Sequence, residues 1–156
     1  MITPIPEVSA AGDLLITRVF NAPRDLVWKA WTDPEQKLKW MGPRGYTACN
    51  PTGDFRPGGT WRLCLRKDEG GELLWHGGVI REIVEPERMV YTFAWEGDDG
   101  LPENEMLITI TFTPHEGNKT KMTFHQTGFR SVEQRDGHNG GWNSTFDRLA
   151  EFVEKK

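Results

Sequence analysis

The feature that most constrains the fold is a long stretch of two-residue periodicity between Thr47 and Thr127. Five segments of this stretch are rich in β-branched and aromatic residues, namely TWRLCLR, LLWHGGVIREIV, MVYTFAW, MLITITFT and TKMTFHQT. Turn-like sequences of hairpin length separate these segments, so the stretch predicts an antiparallel meander of about six strands. Apolar side chains fall on alternate positions of each strand, which predicts a sheet with one apolar face.

The residues before the meander change from strand to helical spacing. DLLITRVF has the composition of a strand, and in the NAPRDLVWKAW segment that follows it Val27, Trp28 and Trp31 share one helical face. Asp33 directly before Pro34 then predicts the N-terminus of a second short helix. We therefore expect two short helices between the first strand and the meander.

The closing segment, GHNGGWNSTFDRLAEF, carries the apolar stripe Trp142, Phe146, Leu149 and Val153. Gly140 and Gly141 are unexpected in it, because a glycine inside a helix costs about 0.8–1.0 kcal/mol relative to alanine. Two interpretations follow from the residues alone. Either the helix includes both glycines and leaves room beside its backbone, or it begins near Ser144, where the STFD sequence is compatible with a capping box.

Together these elements predict an α+β fold in which a curved antiparallel sheet wraps around one long C-terminal helix. We expect a flexible leader over residues 1–12 and a single domain over residues 13–156. A strongly curved sheet cannot fill all the space between itself and one helix, so an apolar cavity is expected there. Pockets that bind small molecules commonly measure about 300–1,000 Å³.

Charge and composition indicate which classes of binding partner and which cellular compartment to expect. The net charge is −4 and the basic residues are scattered, which argues against nucleic acid and anionic membranes as partners. The chain shows no secretory signal or membrane-spanning run, and its two cysteines, Cys49 and Cys64, suit a reducing compartment, so a cytoplasmic location is expected. Recognisable catalytic motifs are lacking and the four histidines are widely spaced, so we predict no catalytic residue, metal or cofactor.

Several linked segments resemble one known family. ITRVFNAPRDLVWKAWTDPEQKLKWMGP, DFRPGGTWR, HGGVIREIVEPERMVYTF, ITITFTP and HNGGWNSTFDRLAEF are similar to the START-like, or SRPBCC, helix-grip superfamily. The similarity is strongest to its AHSA-type branch, named for the ATPase activator of a heat-shock chaperone, and covers about residues 13–154. It implies a sheet gripping the C-terminal helix around a cavity for hydrophobic molecules. It also favours the longer helix, with Gly140 and Gly141 inside it.

The predicted cavity lining combines the apolar parity positions with nearby polar groups. The candidate ligand-binding residues are Trp31, Trp61, Leu63, Trp75, His76, Tyr91, Phe93, Ile110, Phe112, Phe124, Gln126, His138, Trp142 and Phe146. Two of them carry alternatives. His76 either contacts a guest or is a strand histidine whose ring is hydrogen-bonded by a neighbour. Gln126 places an amide on the apolar side, where a ligand or an ordered water could satisfy it; alternatively, the strand is frayed at this end.

Three functions are compatible with these observations. The first is binding of a small hydrophobic or aromatic molecule in the cavity without catalysis. The second is a co-chaperone-like, stress-response role in which the protein stimulates a chaperone ATPase. The third is an enzyme of cyclase or aromatase type, using His76 with Gln126 or Tyr91 as its acid–base pair. Self-association into a homodimer is open under each of them.

Overall fold

The computed structural model describes residues 12–155, so the predicted flexible leader lies outside the described residues except for Gly12. Seven strands and three helices occur in this range. The strands are β1 (Leu14–Phe20), β2 (Tyr46–Gly53), β3 (Thr60–Lys67), β4 (Leu73–Val84), β5 (Arg88–Glu96), β6 (Pro102–His115) and β7 (Lys119–Thr127). The helices are α1 (Arg24–Thr32), α2 (Pro34–Lys37) and α3 (Val132–Glu154).

The described strands form one antiparallel sheet in the order β1-β7-β6-β5-β4-β3-β2. The predicted meander from β2 to β7 is therefore confirmed. The first strand, β1, pairs with the last strand, β7, and Ile16 lies opposite Phe124. The helices α1 and α2 lie in the connection between β1 and β2, which are the two edge strands. This arrangement confirms the predicted α+β helix-grip fold.

Two strands are longer than the sequence pattern indicates, because each contains a bulge. The β2–β3 register shifts between Cys49 and Thr52, and the β5–β6 register shifts between Phe93 and Trp95. Asn50 and Asn104 lie in these bulges at φ values of 51° and 54°. Asparagine tolerates this left-handed conformation better than most residues, so segments that read as turns still pair as strands.

The long helix includes both glycines. It begins at Val132 with Ser131 as the N-cap, whose hydroxyl accepts a hydrogen bond of 3.0 Å from the Gln134 backbone N–H. The alternative start near Ser144 is therefore wrong. The S-x-x-Q spacing of Ser131 and Gln134 is itself a helix-start signal, and it places Gly140 and Gly141 in the middle of α3.

The apolar stripe of α3 covers the concave face of the sheet. Phe146 is fully buried, and its ring lies 6.1 Å from Trp31 of α1, 5.3 Å from Phe124 of β7 and 5.5 Å from Trp142. Aromatic pairs at these distances stabilise a core beyond the area they bury. Within residues 12–155, no helix has both the length and the apolar character required to cross a bilayer.

Candidate functional site

A cavity of about 190 Å³ lies between α3 and the sheet, and we call it the helix pocket. Its sheet wall consists of Leu65, Leu74, His76, Phe93 and Trp95. The helix contributes Gly137, His138, Gly141, Trp142 and Thr145, and the segment between α2 and β2 contributes Met41, Gly42 and Pro43, with Tyr46 of β2 beside them. Most of these side chains are apolar, so the pocket suits a guest with little exposed polarity.

The glycines of α3 create this space. Gly137 and Gly141 are one helical turn apart, so both present bare backbone to the pocket. A β-carbon on either would meet no heavy atom within 4 Å. Gly140 has the same free space but does not line the pocket. Close packing therefore does not require these glycines, and two of them leave room in the pocket wall.

His138 joins the helix to the sheet at the pocket. The indole Nε1–H of Trp95 donates to its Nε2 at 3.0 Å. Burial lowers the pKa of His138 to about 4, so the ring is neutral at physiological pH. Because Nε2 accepts a hydrogen bond, the proton of the neutral ring is assigned to Nδ1.

His76 lies in the opposite wall, and only 3% of its surface is exposed. Its ring is stacked on Phe93 with a centroid distance of 5.0 Å, and its Nδ1 is buried. Burial, reinforced by the nearby positive charge of Lys37, lowers the pKa of His76 to about 3. The ring therefore contributes a neutral surface to the pocket, and its contact with a guest stays a prediction.

A second cavity, of about 200 Å³, lies between the α1–α2 segment and the sheet. We call it the lysine pocket, because Lys37 lines it together with Trp31, Trp61, Leu63 and Tyr91. The two pockets share an aromatic wall. The Trp61 ring on the lysine side lies 5.6 Å from His76 and 6.0 Å from Phe93 on the helix side.

The predicted lining residues divide between these two pockets and the core. His76, Phe93, His138 and Trp142 line the helix pocket, whereas Trp31, Trp61, Leu63 and Tyr91 line the lysine pocket. Ile110, Phe112, Phe124 and Phe146 are fully buried in the core and line neither pocket. The aromatic side chains thus fill much of the expected cavity, and each pocket is smaller than expected.

Trp75 requires a correction. Leu63 lies opposite His76 in the β3–β4 register, and Cys64 lies opposite Trp75, so Trp75 belongs to the other face of the sheet. There the guanidinium of Arg62 lies over its ring, 3.8 Å from the centroid. Neighbouring residues of a strand point to opposite faces, so Trp75 and His76 cannot both face the cavity.

Gln126 faces the interior, but its amide is already paired. Its Oε1 accepts a hydrogen bond of 2.9 Å from Trp142 Nε1, and its Nε2 lies 3.4 Å from the Met106 sulfur. The side chain is fully buried and lines neither pocket. Gln126 therefore fixes the Trp142 ring, and no guest is needed to satisfy its amide.

Several residues that line the pockets were not among the predicted site residues, namely Lys37, Leu74, Trp95, Gly137 and Gly141. The Gly137 to Gly141 spacing of four places two bare backbone positions on one helical face, a signal that was available in the sequence. Leu74 and Trp95 have the alternation expected of inward positions. Lys37 had no such signal, because its position under the sheet depends on tertiary packing.

The described residues of the two pockets were examined for groups that could transfer protons or bind a metal ion. The predicted acid–base pair was His76 with Gln126 or Tyr91, but His76 and Tyr91 line different pockets and Gln126 lines neither. Burial raises the pKa of Tyr91 and lowers that of His76, so neither group exchanges protons readily near neutral pH. Within residues 12–155, no group of three or more histidine, cysteine or acidic side chains is placed to hold a metal ion.

Comparison with known proteins gives one family and many related structures. The family model described as "Activator of Hsp90 ATPase homolog 1-like protein" matches residues 21–154. A Chromobacterium violaceum protein structure is 26% identical, covers 92% of this chain and 98% of its own, and has a TM-score of 0.79. A Rhizobium leguminosarum protein structure is 28% identical, covers 93% of this chain and 95% of its own, and has a TM-score of 0.77. No curated protein matches the chain.

A third structure carries the family's name. It is the AHSA1 protein from Silicibacter pomeroyi, with a TM-score of 0.80 over 90% of this chain and 96% of its own. At 21% identity this likeness shows the fold alone.

Proposed function

The chain belongs to the family of activator of Hsp90 ATPase homologue 1-like proteins, and from this premise and the pocket geometry we propose that it binds a small hydrophobic or aromatic molecule in the helix pocket. The proposal places the guest between α3 and the sheet, against Phe93, Trp95 and Trp142. No covalent step is part of it.

The observation that carries the proposal is the pair of glycines in the pocket wall. Each costs about 0.8–1.0 kcal/mol of helix stability relative to alanine, and an alanine β-carbon at either position would meet nothing within 4 Å. The core packing therefore does not explain why Gly137 and Gly141 lack side chains. An occupant of the pocket does, because any side chain there would reduce the volume available to it.

The volume sets the size of the guest. An apolar cavity of about 150 Å³ is large enough to bind benzene. The helix pocket, at about 190 Å³, therefore suits a one-ring or compact two-ring molecule. Its aromatic wall favours a flat guest that stacks on or meets the edges of the rings.

Substitution of Gly141 tests the proposal, with Gly140 as the matched control. We expect Gly141→Leu to weaken binding of indole or a similar aromatic compound by about tenfold or more, because the new side chain occupies the pocket. Gly140→Leu should leave binding unchanged, because Gly140 does not line the pocket. Both variants should gain stability, since leucine is the better helix former. Isothermal titration calorimetry measures the affinity.

Equal affinities in the two leucine variants would contradict the proposal, and so would an unaltered protein that binds no compound of a broad aromatic panel. Thermal unfolding of each variant shows that the comparison is made between folded proteins.

The other two functions remain hypotheses. Stimulation of a chaperone ATPase predicts a rate increase that Gly141→Leu does not alter, so an ATPase assay with both leucine variants separates it from pocket binding. The cyclase-type hypothesis predicts His76 with Tyr91 or Gln126 as its acid–base pair, but His76 and Tyr91 line different pockets and Gln126 lines neither.

A further inference from the structure

The lysine pocket contains a positive charge, that of Lys37, for which the described residues provide no counter-ion. The Lys37 ammonium lies 5.8 Å from the centroid of the Trp31 ring and 5.6 Å from that of the Trp61 ring. Among the described residues, no carboxylate lies within 4.0 Å of it and it donates no hydrogen bond. A cation between two indole rings gains some energy from the rings, but it still lacks a counter-ion.

The other charges around this pocket are already paired. Arg62 forms two hydrogen bonds with Glu96, at 2.6 and 2.8 Å, and Asp54 pairs with Arg56. Among the described residues that line the pocket, Lys37 is therefore the cation without a paired carboxylate. Lys37 is half-buried, and this burial lowers the pKa of its ammonium group to about 8.

One further donor lies in the same wall. The Tyr91 hydroxyl makes no hydrogen bond to any described residue, whereas the indole Nε1 of Trp31 is unpaired but has no accessible surface in the pocket. The remaining wall is largely apolar, with Leu63, Ile80 and Met89. An apolar cavity with an ammonium group that lacks a counter-ion and a spare O–H donor is complementary to an apolar body with an anionic acceptor.

We propose that the lysine pocket is a second binding site, separate from the helix pocket, for a compact aromatic or aliphatic molecule bearing a carboxylate, with Lys37 as the counter-ion. The carboxylate accepts hydrogen bonds from the ammonium group, and the apolar body contacts Trp31 and Trp61. This site does not depend on occupancy of the helix pocket.

The experiment uses 2-naphthoate and its neutral analogue 2-naphthamide. Calorimetric titration should give an affinity for 2-naphthoate that falls by about tenfold or more in Lys37→Met, as expected when a hydrogen bond to a charged group is lost. Lys37→Arg should retain most of the affinity. Lys39→Met removes an exposed lysine of the same segment and should leave the affinity unchanged.

The pH dependence gives an independent readout. Binding of 2-naphthoate should weaken as the pH rises through about 8, because Lys37 loses its proton there. The other titratable or charged groups near Lys37 are His76 and Tyr91 in the sheet and Asp54 and Arg62 in the pocket wall. His76, with a pKa of about 3, and Tyr91, with a pKa raised by burial, do not change charge near pH 8.

The proposal is overturned if the unaltered protein does not bind 2-naphthoate, if Lys37→Met binds it as well as the unaltered protein, or if 2-naphthamide binds equally well. It is also overturned if naphthoate shifts the amide resonance of Gly141 rather than the indole resonances of Trp31 and Trp61. Failure of the helix-pocket proposal appears instead as the absence of a Gly141 response to neutral indole, so the two results are distinguishable.

Discussion

The Phe146→Ala variant is expected to lose about 3–5 kcal/mol of the free energy of unfolding, the usual cost of truncating a fully buried phenylalanine. Its ring is wholly enclosed and contacts Trp31, Phe124 and Trp142 on three different elements. Removing the ring leaves a void that these large, rigid neighbours cannot close. Because typical domains are stable by about 5–15 kcal/mol, the variant should lose a large part of its total stability.

Urea denaturation measures this effect, and Phe55→Ala is the matched control. The Phe55 side chain is 46% exposed, so its truncation should cost about 1 kcal/mol or less. A loss in Phe146→Ala no greater than that in Phe55→Ala would contradict the packing described for α3.

Acidification is expected to destabilise the protein well before its carboxylates titrate. The folded-state pKa of His76 is about 3, below the ordinary value of 6.5, so the unfolded state binds more protons than the folded state between these values. The contribution of His76 to stability is thus complete at neutral pH and is lost as the pH falls from about 6.5 towards 3. The loss is on the order of 1 kcal/mol for each pH unit.

His138, with a pKa lowered to about 4, acts in the same direction over a narrower range. His76→Phe removes the titrating ring while conserving much of its volume, so its stability should fall less between pH 6.5 and 4.5. His115→Gln, which replaces an exposed histidine, serves as the control and should behave like the unaltered protein. A His76→Phe variant with the same pH dependence as the unaltered protein would show that His76 is not buried as a neutral ring.

The sheet was largely predictable because its information is local. Alternation in each strand gave the inward faces, and residues such as Ile108, Ile110 and Phe112 are indeed fully buried. The bulges at Asn50 and Asn104 were not predictable in this way, because a single extra residue in a turn-like sequence looks the same as the end of a strand. The start of α3 was ambiguous for a different reason, because Ser131 and Ser144 both have the residue type of a helix N-cap.

The pockets were less predictable than the sheet, because their shape depends on how side chains from distant segments meet. Parity identifies Phe124 and His76 as inward residues, but it does not show that one is enclosed in the core and the other lines a cavity. The position of Lys37 between Trp31 and Trp61 joins residues from α1, α2 and β3. The sequence pattern contains no information about such an encounter.

We propose that the cavity bordered by Gly137 and Gly141 of α3 accepts a small apolar guest. Titration of the ¹⁵N-labelled protein with indole, followed through the backbone amide resonances, tests this proposal. We predict saturable shifts at Gly137, His138 and Gly141, and no shift at Gly117 in the distant β6–β7 turn. If the glycines of α3 show no saturable response while the protein remains folded, or if Gly117 shifts as much as they do, the claim is contradicted.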